Sequence, residues 1–149
     1  MSDKLKGLNV DIQSFSDFKE KDYYYIDKTS YIKDILLNSG TTVLFTRPRR
    51  FGKSITLFML QSFLEMNYEN PSDKSKQIEL FKDTEIFKDK DFCDKYMGQC
   101  PVISITLKDV CGDDFESAYL KLAEVVSAKA NEFSFLKESP YLNEMEKAK

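Results

Sequence analysis

The feature that most constrains this chain is an apolar strand pattern followed at once by a short basic loop and an apolar helix pattern. Residues 41–46 (TTVLFT) are β-branched or apolar, as in a buried parallel strand. Residues 47–52 (RPRRFG) form the loop, and a helix is predicted over residues 53–66. A second strand pattern at residues 101–107 precedes an amphipathic helix predicted over about residues 114–133. This order predicts an α/β domain with parallel strands flanked by helices.

Three consecutive residues, where the loop ends and the helix begins, have the chemistry that binds phosphate. Gly52 lets the backbone approach an anion closely, Lys53 supplies a point charge, and Ser54 offers a hydroxyl for Mg²⁺. The helix that begins there adds unpaired amides and the positive end of its dipole. The match to the pattern GxxxxGK[ST] is incomplete. Arg47 stands at the position of the first glycine, and Pro48 lacks an N–H donor.

The two remaining arginines offer a replacement for the lost donor. Arg49 and Arg50 would bring charge to the phosphates, or they would pair with carboxylates elsewhere in the fold. A left-handed Arg47 would cost about 1–2 kcal/mol, so the loop is expected to follow a somewhat different path. Ser54 is the candidate metal ligand, and the candidate cofactor-binding residues are Arg49, Arg50, Phe51, Gly52, Lys53, Ser54 and Ile55.

Composition limits the other classes of function. A length of 149 residues fits about one domain, and the absence of histidine excludes Ser/His triads and histidine metal sites. The three cysteines, an odd number without a CxxC pair, are predicted to be reduced, buried thiols. A net charge of −3 argues against nucleic-acid binding. No apolar run is long enough to span a membrane, so a cytoplasmic location is expected.

The loop and its surroundings resemble one known family. The string LFTRPRRFGKS at residues 44–54 is similar to the loop of the AAA-ATPase-like proteins of bacteria and archaea, which typically reads RPRRFGKS or RPRRFGKT. Residues 15–28 (FSDFKEKDYYYIDK) resemble the family's opening segment, which ends in YYYVDKT, and residues 98–112 resemble its second core strand. The resemblance implies an incomplete P-loop NTPase-like three-layer core. Lys53 would contact the β- and γ-phosphates of ATP, and Ser54 would ligate Mg²⁺.

The same resemblance bears on hydrolysis. ATP hydrolysis needs an acid after an apolar strand and usually an arginine. The family's strand ending in Asp-Glu is expected downstream, so residues 1–149 would be the N-terminal, Walker A part of the domain, with little or no hydrolysis. Asp109 follows an apolar strand, but a loop or capping role is favoured for it. Asp27 and Lys28 would fasten the N-terminal segment over the nucleotide, or form a local ion pair. The aromatic run at residues 23–25 suits a core strand better than a base-stacking platform.

Three functions remain open. The first is an ATP-binding module that uses Mg²⁺. The second is a non-catalytic interaction module with a degenerate P-loop, which self-associates or binds a partner protein through an open sheet edge. The third is nucleic-acid binding through the basic loop, which the net charge disfavours.

Overall fold

The computed structural model describes residues 14–17, 23–38 and 40–138 of the chain. The chain divides into two compact units, Met1–Val102 and Ile103–Lys149. Part of the family-like opening segment, residues 18–22, lies outside the described residues.

The first unit is built from helices. They are α1 (Tyr31–Asn38), α2 (Lys53–Leu64), α3 (Ser75–Phe81), a 3₁₀ turn (Ile86–Lys88) and α4 (Lys90–Tyr96). The helix predicted to begin at Lys53 is confirmed, and it ends at Leu64. The elements of this unit after α2 are short, each seven residues or fewer.

Aromatic rings form the core of this unit. Phe63 of α2 and Phe81 of α3 are fully buried, with their rings edge to face at 5.3 Å between centroids. Phe81 also stacks on Phe15 at 5.1 Å. Such pairs add to the stabilisation that comes from burying the apolar area. The buried apolar residues of the unit are Phe15, Ile32, Met59, Phe63, Leu80, Phe81, Ile86, Phe92, Cys93 and Met97. Because Met59 and Phe63 anchor the C-terminal half of α2, the core fixes the position of that helix.

The predicted α/β fold with a three-layer, parallel-stranded core is wrong for the described residues. No sheet forms in them. Their pairing includes one isolated parallel bridge, between Glu65 and Cys100. Residues 41–46 and 101–107 form no strand, and most of their apolar side chains are open to solvent, with Leu44 82% exposed and Ile103 65% exposed.

The physical reason is that a strand is not a local structure. A β-branched, apolar pattern says that a segment suits a pleated surface, but a strand is stable only with neighbours to pair with. Neither segment finds a ladder partner among the described residues. The open sheet edge suggested as an interaction surface is therefore absent from this part of the chain as well.

The second unit contains the long helix α5 (Phe115–Glu132) and a 3₁₀ turn (Ser134–Glu138). Asp114 caps α5 by accepting from the Ser117 amide at 2.8 Å, and the Ser117 side chain returns to the Asp114 backbone. This reciprocal cap explains why the helix begins there. The predicted amphipathic helix is confirmed, but none of its residues is buried. Across the described residues, no helix combines the length and apolar character needed to cross a membrane.

The cysteines differ from one another. Cys93 is buried, and its thiol lies 3.4 Å from the Ile86 carbonyl oxygen as a weak donor. Cys100 and Cys111 are exposed. All three are free thiols, as predicted, but the prediction of buried packing is correct for Cys93 alone.

Candidate functional site

The loop before α2 closes around the Lys53 ammonium. Its Nζ atom donates to the Pro48 carbonyl oxygen at 3.0 Å and also to the Arg47 carbonyl oxygen. These two carbonyls belong to the start of the loop, and Lys53 is the first residue of the helix after it. The side chain therefore ties both ends of the loop together and places a positive charge inside its curve.

The N-terminus of α2 is open. Gly52 is its N-cap, and no side chain caps the helix. Among the described residues, the amides of Gly52, Lys53, Ser54 and Ile55 donate to no protein acceptor. Thr56 is the first residue whose amide turns inward, to the Gly52 carbonyl oxygen at 3.0 Å. An uncapped helix start of this kind presents donors and partial positive charge to whatever lies before it.

Two left-handed residues shape the loop. Gly52 has φ of +77°, which glycine adopts readily. Arg50 has φ of +66° and is the one described non-glycine residue with a positive φ. Arg47 is therefore not left-handed, as expected, and the strained residue is Arg50. Such a conformation costs a residue with a Cβ roughly 1–2 kcal/mol.

The three arginine side chains of the loop are exposed. Arg47, Arg49 and Arg50 form no ion pair with any carboxylate in the described part of the chain. The alternative that they serve as structural ion-pair partners therefore finds no support there. Ser54 is exposed at the first turn of α2. No cluster of three or more acidic, cysteine or histidine side chains suited to a metal occurs in the described residues.

A cavity of about 460 Å³ adjoins the loop. This volume lies within the roughly 300–1,000 Å³ typical of small-molecule sites. Four of the predicted site residues line it: Phe51, Gly52, Lys53 and Ile55. The other three, Arg49, Arg50 and Ser54, are not in its lining. The remaining lining residues are Tyr24, Tyr25, Ile26, Asp27, Lys28, Ser30, Tyr31, Phe45, Arg47, Thr56 and Met59.

Sequence reasoning missed the aromatic wall of this cavity. Tyr24 and Phe45 lie in predicted strand segments outside the loop, and no site role is predicted for Tyr31 from the sequence. The signal that points to them is the aromatic run at residues 23–25 together with Tyr31, which comes just after the Asp27–Lys28 pair. Only the folded chain brings that segment beside the loop.

Asp27 and Thr29 fasten this segment to the turn before α4. The two carboxylate oxygens of Asp27 accept from the Thr29 amide at 2.8 Å and the Glu85 amide at 2.7 Å. The fully buried Thr29 hydroxyl accepts from the Ile86 amide at 3.1 Å. Asp27 therefore bonds backbone amides, and no ion pair joins it to Lys28 among the described residues. This contact holds the aromatic wall in place.

Tyr25 is fixed between this segment and α2. Its hydroxyl donates to Met59 Sδ at 3.4 Å and accepts from the Lys28 amide at 3.4 Å. Burial raises the pKa of Tyr25 to about 12, with a smaller contribution from the nearby Asp27 charge, while the Lys28 amide acts in the opposite direction. The phenol is therefore neutral at physiological pH. Its hydroxyl serves as a packing contact to α2.

Comparisons with known proteins identify the family of this chain. A family model described as "Predicted AAA-ATPase" matches residues 9–149. A relative from Azotobacter chroococcum mcd 1, named "Uncharacterized protein in vnfD 5'region", is 43% identical over 63 residues, which are 42% of this chain and 12% of the relative's length. No solved structure matches the chain. Because the family model covers nearly the whole sequence, this chain belongs to the AAA-ATPase-like family.

Proposed function

We propose that this chain binds ATP, with Mg²⁺, at the loop and helix start formed by residues 47–55. The observation that carries the proposal is the start of α2, where four amides donate to no acceptor among the described residues, together with the Lys53 ammonium held by the loop carbonyls. A triphosphate is the kind of anion that such donors suit. Membership of the AAA-ATPase-like family supports the same ligand.

Each residue of the loop has a part in this proposal. The amides of Gly52–Ile55 would hold phosphate oxygens, and Lys53 would add charge to the outer phosphates. Arg49 and Arg50, which are exposed and without ion pairs in the described chain, would approach from the solvent side. The Ser54 hydroxyl would hold Mg²⁺, which otherwise takes its ligands from phosphate and water. Bound Mg²⁺ neutralises phosphate charge.

The proposal concerns binding, with little or no hydrolysis. Hydrolysis would need an acid to hold Mg²⁺ and orient water. Asp109, the acid that the sequence offers, lies in a turn, which fits the loop role favoured for it. The loop's own residues supply donors and charge but no carboxylate.

Titration calorimetry with Mg²⁺–ATP tests this function. Lys53→Ala is expected to weaken binding by about tenfold or more, because hydrogen bonds to charged groups contribute about 1.5–3 kcal/mol. Lys82→Ala is the matched control, since it removes one exposed ammonium that is paired with Glu79. It should leave the affinity unchanged. Equal ATP affinity for the wild type and Lys53→Ala, with folding verified by circular dichroism, would overturn the proposal.

A further inference from the structure

Two chemically different groups of residues line the cavity beside the loop. The first is Gly52 and Lys53, at the uncapped start of α2. The second is the aromatic wall of Tyr24, Tyr31 and Phe45, in which the Tyr31 and Phe45 ring centroids lie 6.0 Å apart. A ligand that contacts both groups of residues therefore needs an anionic group and a flat apolar group within one molecule.

The aromatic wall includes side chains that remain accessible. Tyr24 is 58% exposed and Tyr31 is 36% exposed, although both line the cavity. Tyr25, in contrast, is half-buried and engages Met59 and the ring of Phe15. The cavity lining thus includes one packed tyrosine and two tyrosines that remain accessible. An exposed aromatic surface next to an anion site favours stacking of a ring against it.

The segment that carries Tyr24 and Tyr31 is fastened by hydrogen bonds in the absence of a ligand. Asp27 uses both carboxylate oxygens on backbone amides, and Thr29 is fully buried. A segment that is already fastened has a smaller ordering cost when a ligand binds.

We propose that the aromatic wall is the subsite for the heterocyclic base of the nucleotide, with the base packed on Tyr24, Tyr31 and Phe45 while its phosphates lie at Gly52 and Lys53. This inference rests on the proposed function, because it assigns the second half of the same ligand. It changes the role expected for the aromatic run from core strand to base platform.

The test compares ATP with inorganic tripolyphosphate, which carries the phosphates without a base. Calorimetry is run on the wild type, Tyr31→Ala, Tyr31→Phe and Lys53→Ala, each with Mg²⁺. The wild type should bind ATP more tightly than tripolyphosphate. Tyr31→Ala should weaken ATP binding by roughly five- to hundredfold, the range expected for losing a base-stacking ring. It should leave tripolyphosphate binding unchanged. Tyr31→Phe, which keeps the ring, should bind ATP like the wild type.

The outcomes separate the two proposals. If tripolyphosphate binds as tightly as ATP, or if Tyr31→Ala leaves ATP affinity unchanged, the base subsite is wrong while the phosphate site stands. If the wild type binds neither ligand, or Lys53→Ala affects neither, the proposed function fails and the subsite fails with it. Tyr24→Ala, at a more exposed ring, replaces Tyr31→Ala if that variant does not fold.

Discussion

The Lys53 ammonium lies 3.0 Å from the Pro48 carbonyl oxygen, across the full span of the basic loop. With its second bond to the Arg47 carbonyl, it holds the loop closed from the helix side. An anionic ligand bound here would be a third hydrogen-bond acceptor for the Lys53 ammonium, beside the two carbonyl oxygens. Lys53 therefore links the shape of the loop to its charge, and substitutions there should alter both.

Loss of the Lys53 ammonium should loosen the loop even without nucleotide. In Lys53→Ala, the carbonyls of Arg47 and Pro48 lose their donor, so the chain around Arg50 should open more often. Limited trypsin digestion followed by mass spectrometry should show cleavage after Arg50 accelerated severalfold, measured against cleavage after Lys121 in the same sample. An unchanged ratio of the two rates would mean that the ammonium does not hold the loop.

The positive φ of Gly52 should make substitution of this glycine destabilising. A Cβ there would meet nothing within 4 Å, so the penalty of Gly52→Ala comes from φ of +77° alone. We expect a loss of about 1–2 kcal/mol in the free energy of unfolding, measured by urea denaturation. Gly40→Ala is the control, because Gly40 also has open space but no positive φ. A similar loss in both variants would contradict this explanation.

Arg50 should be a site where stability and binding move in opposite directions. Arg50→Gly relieves φ of +66° and should raise the free energy of unfolding by about 1 kcal/mol. The same change removes a charge from the loop and should weaken ATP binding. Arg49→Gly, at a residue without positive φ, should instead lower stability by about 0.5 kcal/mol. If Arg50→Gly is destabilising, the left-handed conformation carries no strain.

The buried Thr29 hydroxyl should be required for the attachment of the aromatic wall. Thr29→Val keeps the shape but leaves the Ile86 amide without its acceptor, which should cost about 1–3 kcal/mol. Thr29→Ser keeps the acceptor and should retain that hydrogen bond. Chemical denaturation measures both variants. A serine variant that is less stable than the valine variant would show that packing, and not the hydrogen bond, controls this position.

Asp89 should contribute to the acid stability of the first unit. The hydrogen bond from Lys33 lowers the pKa of Asp89, and the Phe92 amide, 3.1 Å away, lowers it further. Because the folded pKa is below the ordinary value, the stabilisation is present above that ordinary value and is lost as pH falls through the folded pKa. Asp89→Asn keeps the helix cap but removes the charge. The free energy of unfolding of Asp89→Asn should therefore fall less steeply as the pH is lowered.

Urea unfolding at a series of acidic pH values measures this effect. Lys33→Met should reduce the same pH dependence, since it removes the partner ammonium. If the free energy of unfolding falls with acidic pH in both variants as it does in the wild type, the ion pair does not contribute to stability.

Much of the local structure could be predicted from the sequence. The helix starting at Lys53 follows from its apolar run after the Gly52 loop, and the long helix capped by Asp114 follows from periodicity and its capping residue; these signals act over a few neighbouring positions. The sheet could not be predicted correctly, because strand pairing depends on distant neighbours that residues 41–46 do not find among the described residues. The cavity was missed for a related reason, since Tyr24 and Tyr31 are some twenty residues or more from Lys53 along the chain.

The sequence by itself determined that Gly52, Lys53 and Ser54 stand together at a helix start, because they are consecutive residues and need no distant contact to be adjacent. The tertiary structure decided what stands beside that loop. Asp27 reaches the Glu85 amide, 58 residues away, and in doing so fixes an aromatic wall next to Lys53. Such a contact depends on how the core around Phe63 and Phe81 packs, and no local pattern encodes that packing.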